Sequence, residues 1–399
     1  MPQIQVVARP LFLLRENNSI FGLNAIIFEE TFTSLISFFY NLSIFIFLKI
    51  VMRIITIIFL FFFIFSNCKN DKILKNPNNV APKGMVWVEG RILSVGAKTS
   101  DEYSMDREKP AHKVYVNGFF IDITEVTNKQ FKLFVESTGY KTVAERDIDW
   151  EELKKQLPDG TLKPHDSILQ PGSLIFNKNA KNVVNMNNYN QWWTWKIGAN
   201  WKNPEGLSSD VKLIDDHPVV HIAHRDAIAY CKWANRRLPT EAEWEAAAQG
   251  KNSNSIYTWG DNPNILNQNA NTWQGTFPVK NQSIDGNEFI SSVKSYPPNT
   301  IGIYDMLGNV WEITSDLFNI NYYNQIDLSK VIHNPNGAKV SYNPSNPYQI
   351  EYVMKGGSYL CHSSYCASYR ISARMGVSVD SGSDHAGFRT VATPNMIYN

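Results

Sequence analysis

Apolar and polar positions along this chain follow two different periods, and the change from one to the other marks its elements. MVWVEG (85–90) and HKVYVNGFFID (112–122) alternate or run apolar with β-branched and aromatic residues, which predicts strands. TNKQFKLFVESTG (127–139) changes to a helical period. Thr127 stands at the N-cap, Phe131, Phe134 and Val135 share one face, and Gly139 stops the run. A second helix is predicted over 226–236, with Ala227, Cys231 and Ala234 on one face. A third follows in LPTEAEWEAAAQG, where Thr240 and Glu243 have capping-box spacing and Gly250 ends the element. Beyond Gly250 the chain is dense in Asn, Gly, Pro and Trp. Short strands are expected there at VWEIT (310–314), YVMKGGSY (352–359) and GFRTV (387–391), joined by turns. No repeat of 20 to 50 residues is visible. The pattern predicts an α+β body with little regular structure, pinned by aromatic burial.

The N-terminal stretch has a different character. From Met52 the chain reads MRIITIIFLFFFIFSNC: Arg53, an apolar run over 54–65, then Ser66 and Asn67 before Cys68. That is the layout of a bacterial lipoprotein signal peptide (52–67), with Cys68 lipidated as the mature N-terminus and residues 1–51 a spurious upstream extension. An uncleaved membrane anchor is the alternative. Either reading exports the body, to a periplasm-facing or outer-membrane place in a bacterial envelope. Residues 68–83 form a polar tether and 84–399 one catalytic-sized domain. A net charge of +1 with no basic block in that domain excludes nucleic acid as the main partner.

Of four cysteines, Cys231 fits a buried helical face, and Cys361 and Cys366 remain as a close pair. Spacing alone favours a disulfide in an exported protein. Two thiolates without a further soft ligand also suit Cu(I), whereas zinc would need four ligands, and His362 beside Cys361 is poorly placed to complete a tetrahedron. A loop-rich body without a disulfide framework calls for bound metal. Two oxygen-rich clusters could hold calcium: Asn271, Asp285 and Asn287, and Asp305, Asn309 and Glu312. On spacing alone these are as well explained as Asx turns and caps. His217 and His221 have the first spacing of a His-x-x-x-His-x-Glu iron site, but Pro218 and the HPVVHIA run argue for a strand, and Ala223 replaces the acid.

KGGSYLCHSSYCASYRISARMGVSVDSGSDHAGFR (355–389) strongly resembles the core of the formylglycine-generating enzymes, or sulfatase-modifying factors. The likeness extends through FFIDITEVTNKQFKLFVESTGY, IGANWKNPEG, DHPVVHIAHRDAIAYCKWANRRLPTEAEWE, YTWGD, NTWQGTFPV and PPNTIGIYDMLGNVWEITSD. It implies a loop-rich, C-type-lectin-like fold. Many proteins of that architecture are not oxidases, so the retained cysteine pair carries the functional expectation.

By what the resemblance implies, Cys361 and Cys366 hold Cu(I). The cysteine of a Cys-x-Pro-x-Arg motif in an unfolded or nascent sulfatase then becomes Cα-formylglycine, with O2 as co-substrate and an external thiol as reductant. Ser358 and Trp311 match residues lining the oxygen side of the site. Arg374, His362, Tyr365 and Asp149 match its client-peptide groove. Two structural calcium ions are implied, one on Asn271, Thr272, Asp285 and Asn287, the other on Asp305, Gly308, Val310 and Glu312. Gly382 and His385 depart from the residues some relatives turn toward the client. Ile371 and Thr390 stand where certain relatives place disulfide cysteines. A non-catalytic envelope lipoprotein of the same fold is the competing expectation.

Overall fold

The computed structural model describes residues 46–55, 80–207 and 213–398. Residues 46–55 are helical (α1) and fall in one compact unit, Met1–Lys72; everything from residue 80 onward falls in another, Ile73–Asn399. Most of the apolar leader, Cys68 and the tether up to residue 79 lie outside the described residues. Among those described, no helix is long and apolar enough to cross a membrane.

The larger unit is α+β, built from short strands. Its elements run β1 (Met85–Val88), β2 (Arg91–Val95), β3 (His112–Val116), β4 (Phe119–Asp122), α2 (Asn128–Thr138), α3 (Trp150–Leu153), β5 (Gly172–Phe176) and β6 (Trp193–Ile197). Then come α4 (His224–Trp233), α5 (Glu241–Gln249), α6 (Leu266–Asn269), β7 (Gly275–Thr276), β8 (Lys280–Asn281), β9 (Trp311–Leu317) and β10 (Ile332–His333). The chain ends with β11 (Glu351–Lys355), β12 (Arg374–Ser378), β13 (Ala386–Gly387), β14 (Val391–Ala392) and α7 (Pro394–Tyr398). Three small sheets have the orders β1-β4-β14, β10-β3-β2 and β12-β11-β9-β13, and β5-β6 and β7-β8 are two-stranded ribbons.

Helix boundaries follow local chemistry. Thr127 caps α2 by accepting the Gln130 N–H, and Gly139 ends it at φ 66°. Helix α4 starts at His224 and stops at Trp233, earlier at both ends than the pattern predicts. Asp226 accepts the Ala223 N–H, so it sits inside the first turn and the helix begins ahead of it. The HPVVHIA segment is not a strand: it makes the bridge Thr127↔Pro218 and donates the Val219 and His221 N–H groups to Val126 and Ser383. It turns away at His221, whose φ is 60°. YVMKGGSY keeps a strand only to Lys355, and GFRTV splits between β13 and β14.

Helix α5 is buried on every side. Its three glutamates are tolerated there because each meets a cation: Glu241 meets Arg374, Glu243 meets Arg237, and Glu245 meets Lys355 at 2.7 Å. Trp244 donates Nε1–H to Glu312 of β9 at 2.7 Å. One core cluster around this helix includes Trp244, Trp311, Cys361 and Cys366. The central helix and the β9–β11 sheet therefore form the floor on which the cysteine loop rests.

Candidate active site

The cysteine loop begins where β11 ends. Gly356 and Gly357 have φ 90° and 75°, and a Cβ on Gly357 would lie 2.8 Å from the Ser368 carbonyl, so the two ends of the loop approach through glycine backbone. Inside the loop the His362 carbonyl accepts the N–H groups of Tyr365, Cys366 and Ala367, each at 3.0 Å. Cys361 carbonyl accepts from Trp273, and Tyr359 N–H donates to Asn309. Cys361 and Cys366 thereby become buried free thiols that share a hydrogen bond. No disulfide joins them.

The pair is electrostatically uneven. Burial pushes Cys361 well above the usual thiol range, and the neighbouring sulfur adds to that effect. Burial acts the same way on Cys366, but the Cys361 thiol and the Ser368 N–H and hydroxyl donate to it and bring its pKa below the usual value. The two thiols share one hydrogen bond and titrate as a pair, with the donors gathered on the Cys366 side. Cys231, in contrast, is a buried thiol in α4 raised by desolvation, with no such partner.

Ser358, expected beside the pair, is there. Its N–H donates to Cys361 Sγ at 3.4 Å, and its Oγ lies 3.0 Å from His385 Nδ1. Trp311 is buried in the same cluster as the cysteines. Tyr365 stacks on Phe277 at 4.5 Å and meets the edge of Trp192 at 5.8 Å, giving the loop an aromatic wall. His362 is partly exposed at the loop's start, its Nδ1 2.8 Å from the Ser364 hydroxyl.

Of the two remaining groove candidates, Arg374 lies in the core and Asp149 on the surface. Arg374 is 1% exposed. Its guanidinium grips Glu241 with two hydrogen bonds of 2.8 and 2.9 Å and faces the Tyr323 ring, so it is a core cation and not a client contact. Asp149 is exposed and caps α3, accepting the N–H of Glu151 and Glu152; its hydrogen bonds stay within its own turn.

Other residues of the site were not anticipated. Arg370 bonds the Ala367 carbonyl from below and is held by Asp101 and Glu108, which fixes the second half of the cysteine loop. Trp192, Trp273 and Phe277 form the aromatic wall with Tyr365. The doublet at 192–193 and the NTWQGTF segment were visible as aromatic-rich, but their convergence on the loop depends on long-range pairing. Gly382 has a packing reason: a Cβ there would lie 2.5 Å from the His221 carbonyl carbon. Ile371 is core, and Thr390 hydrogen-bonds Asp122 at 2.5 Å, so both positions hold the fold without a bridge.

The two oxygen-rich clusters pack against each other, with the Asn309 N–H donating to the Asn271 carbonyl at 2.9 Å. In the first, Asn271 Oδ1 and Thr272 Oγ1 are buried without a partner. Asp285 accepts from Thr272 N, Gln274 Nε2 and Asn287 N. Thr272 carbonyl is shared with Gln274, and Asn287 Nδ2 bonds Tyr296. In the second, Asp305 Oδ1 is buried and free, and so is Oε2 of Glu125, an acid the sequence reading passed over. Burial raises both carboxyls, Asp305 to about 6, and the Asp305 charge raises Glu125 further. Two repelling acids with unpartnered oxygens fit a cation. Glu312 fits less well, because Arg389 and Trp244 already occupy its carboxylate. Gly308 and Val310 are placed in the same turn, where a Cβ on Gly308 would strike the Asn271 carbonyl at 2.3 Å. Among the described residues no three His, Cys, Asp or Glu side chains gather as a metal cluster. A closed zinc site is therefore not what the cysteines offer; two sulfurs alone match the low coordination of Cu(I).

A sulfatase-modifying factor enzyme 1-like domain matches residues 69–394. The chain belongs to the sulfatase-modifying factor family. It is 37% identical to the formylglycine-generating enzyme of Mus musculus over 323 residues, 80% of this chain and 78% of that protein. Against the formylglycine-generating enzyme of Mycobacterium tuberculosis the identity is 41%, covering 72% and 91% of the two chains. The family also contains an inactive Cα-formylglycine-generating enzyme 2 of Mus musculus, 32% identical over 77% of this chain and 85% of its own. Among solved structures, PvdO from Pseudomonas aeruginosa superposes with a TM-score of 0.50 at 18% identity, covering 77% of this chain and 93% of its own, which speaks to the fold.

Proposed function

We propose that this member of the sulfatase-modifying factor family is a formylglycine-generating oxidase that acts on the cysteine of a Cys-x-Pro-x-Arg motif in unfolded or nascent sulfatases. The observation that carries the reading is the pair of buried, hydrogen-bonded free thiols, Cys361 and Cys366, on a loop fixed at both ends. Overall, the client CH2–SH, O2 and two equivalents of an external thiol give an aldehyde, sulfide, a disulfide and water. Cys361 and Cys366 would hold Cu(I), which supplies the redox chemistry with oxygen. The chain's own part is positional. Hydrogen bonds from Cys361 and Ser368 support a thiolate on Cys366, the Ser358 N–H steadies Cys361, and the wall of Trp192, Phe277 and Tyr365 keeps water from the sulfurs. Partly exposed His362 and Tyr365 stand where a client peptide would reach them.

The test uses the purified full chain with Cu(I), O2, a thiol and a Cys-x-Pro-x-Arg peptide, read by peptide mass. Conversion to the aldehyde is expected, with loss of both conversion and stoichiometric Cu(I) uptake in Cys361→Ser and Cys366→Ser. Copper uptake indifferent to both substitutions would favour the second reading, a non-catalytic envelope protein, which the existence of inactive relatives keeps in view. We also infer two calcium ions, on the clusters of Asn271 and Asp285 and of Asp305 and Glu125. Chelation should lower the melting temperature, and an unchanged melt would remove them. Export and anchoring through lipidated Cys68 complete the reading; acyl mass on the mature N-terminus tests that part.

A further inference from the structure

Ser358 is wholly buried, and its hydroxyl meets the ring of His385. Its Oγ accepts the Leu360 N–H at 3.3 Å and lies 3.0 Å from His385 Nδ1. Its own N–H touches Cys361 Sγ. His385 is itself held from two sides. The Trp311 N–H donates to its carbonyl at 2.8 Å, and Trp193 of the β5–β6 ribbon leans on its ring with centroids 4.8 Å apart. That ribbon is tied to the same segment, since Phe176 N–H donates to Asp384 at 2.8 Å and Ser173 Oγ to the Gly382 carbonyl at 2.8 Å. One histidine thus joins the ribbon, the Trp311 strand and the serine that contacts a cysteine.

A serine hydroxyl turns freely about its C–O bond until a partner fixes its proton. The Leu360 N–H occupies a lone pair but leaves the proton's direction open. A neutral imidazole can settle it. Burial, with His221 close by, holds the His385 ring far below its ordinary range, at about 3, so the ring is neutral and one of its nitrogens is an acceptor. With the ring proton on Nε2, Nδ1 takes the Ser358 proton and the second lone pair of Oγ stays uncommitted. A dipole whose direction is set before reaction costs no reorganisation during it.

We propose that His385 is a positioning residue, whose Nδ1 accepts the Ser358 O–H and fixes that hydroxyl beside the Cys361–Cys366 pair while Trp193 clamps the ring. The proposal rests on the oxidase reading of that pair.

The test compares the full chain with His385→Phe, His385→Asn, Ser358→Ala and the Ser358→Ala/His385→Phe double variant. His385→Phe should lower kcat about tenfold or more, with KM and Cu(I) uptake unchanged. His385→Asn, whose amide oxygen can accept the hydroxyl, should recover most of the loss. The double variant should be no slower than Ser358→Ala. A His385→Phe protein with unaltered kcat, a defect confined to KM, or additive losses in the double variant would each overturn the proposal. A second readout does not depend on turnover. In histidine-labelled full chain, the 15N resonances of His385 should report an unprotonated, hydrogen-bonded Nδ1 that shifts in Ser358→Ala. An unmoved resonance overturns the proposal even in an active enzyme. If the wild-type chain converts no peptide, the oxidase reading fails, while the resonance still decides the Ser358–His385 bond.

Discussion

Arg374 shows how far a single residue's surroundings can change its meaning. In the sequence it is a cation thirteen positions after Cys361, which suits a peptide groove as well as it suits a salt bridge. In the fold it opens β12 with its side chain buried, paired to Glu241, with Lys355 3.5 Å from the same carboxylate. Removing one member of a buried pair leaves the other uncompensated, which costs about 3 to 5 kcal/mol. Arg374→Met is therefore expected to lower the denaturation midpoint strongly and to leave KM for the peptide unchanged in the folded fraction. A raised KM at unchanged stability would return it to the groove. Ser358, Cys361, Cys366 and Tyr365 came from the family resemblance of one contiguous loop, since their spacing alone pointed to a disulfide and ordinary turn chemistry. Arg370, Trp192, Phe277 and Glu125 were not, because each reaches its site across 80 residues or more of chain, or through partners that no local pattern announces.

Elements with chemical punctuation were the readable ones. Helices α2 and α5 carry Thr caps, reciprocal glutamine or glutamate at N3, and glycine stops, and both appear where those signals place them. The ribbon β5–β6 has no such marks; it is stabilised by pairing Leu174 with Trp195 and by the bridge of Leu174 to Ser383, which are non-local. β2 was missed for the same reason, since Arg91–Val95 acquires its register only from β3. Helix α5 adds an energetic point. Its N-cap Thr240 accepts the Glu243 N–H at 3.2 Å, and Glu243 returns the bond to the Thr240 N–H at 2.9 Å while holding Arg237. Thr240→Ala should cost about 1 kcal/mol in denaturant melts, and the loss should exceed that of a surface cap because the helix is the centre of the core. A loss below about 0.3 kcal/mol would mean that packing alone sets the helix start.

At the scale of the whole molecule, an interior holding Lys355, Arg370, Arg374 and Arg389 needs buried acids to match, and one buried acid stands outside those pairs. Asp316 of β9 is enclosed, accepts the Glu241 N–H at 3.2 Å and a Ser315 hydroxyl, and has no cation bonded to it among the described residues. Burial first, and then the Glu241 charge, raise its pKa to about 7 from 3.8. In the folded chain it keeps its proton to near neutrality, whereas the unfolded chain releases it near pH 4. Its contribution to stability is therefore complete below about pH 4 and is lost as pH rises toward 7, a change of at most about 4 kcal/mol. Asp316→Asn cannot ionise and escapes that loss. The variant should be no more stable than the wild type at pH 4, gain on it steadily between pH 4 and 7, and keep a constant lead above that range. Matched thermal or urea melts across pH 4 to 8 decide the matter, because only the difference between the two proteins isolates Asp316 from buried histidines such as His224, which titrate with the opposite sign. A difference that stays level over the whole range would show that Asp316 is already ionised in the folded core, with the surrounding arginines and lysine sufficient to hold it.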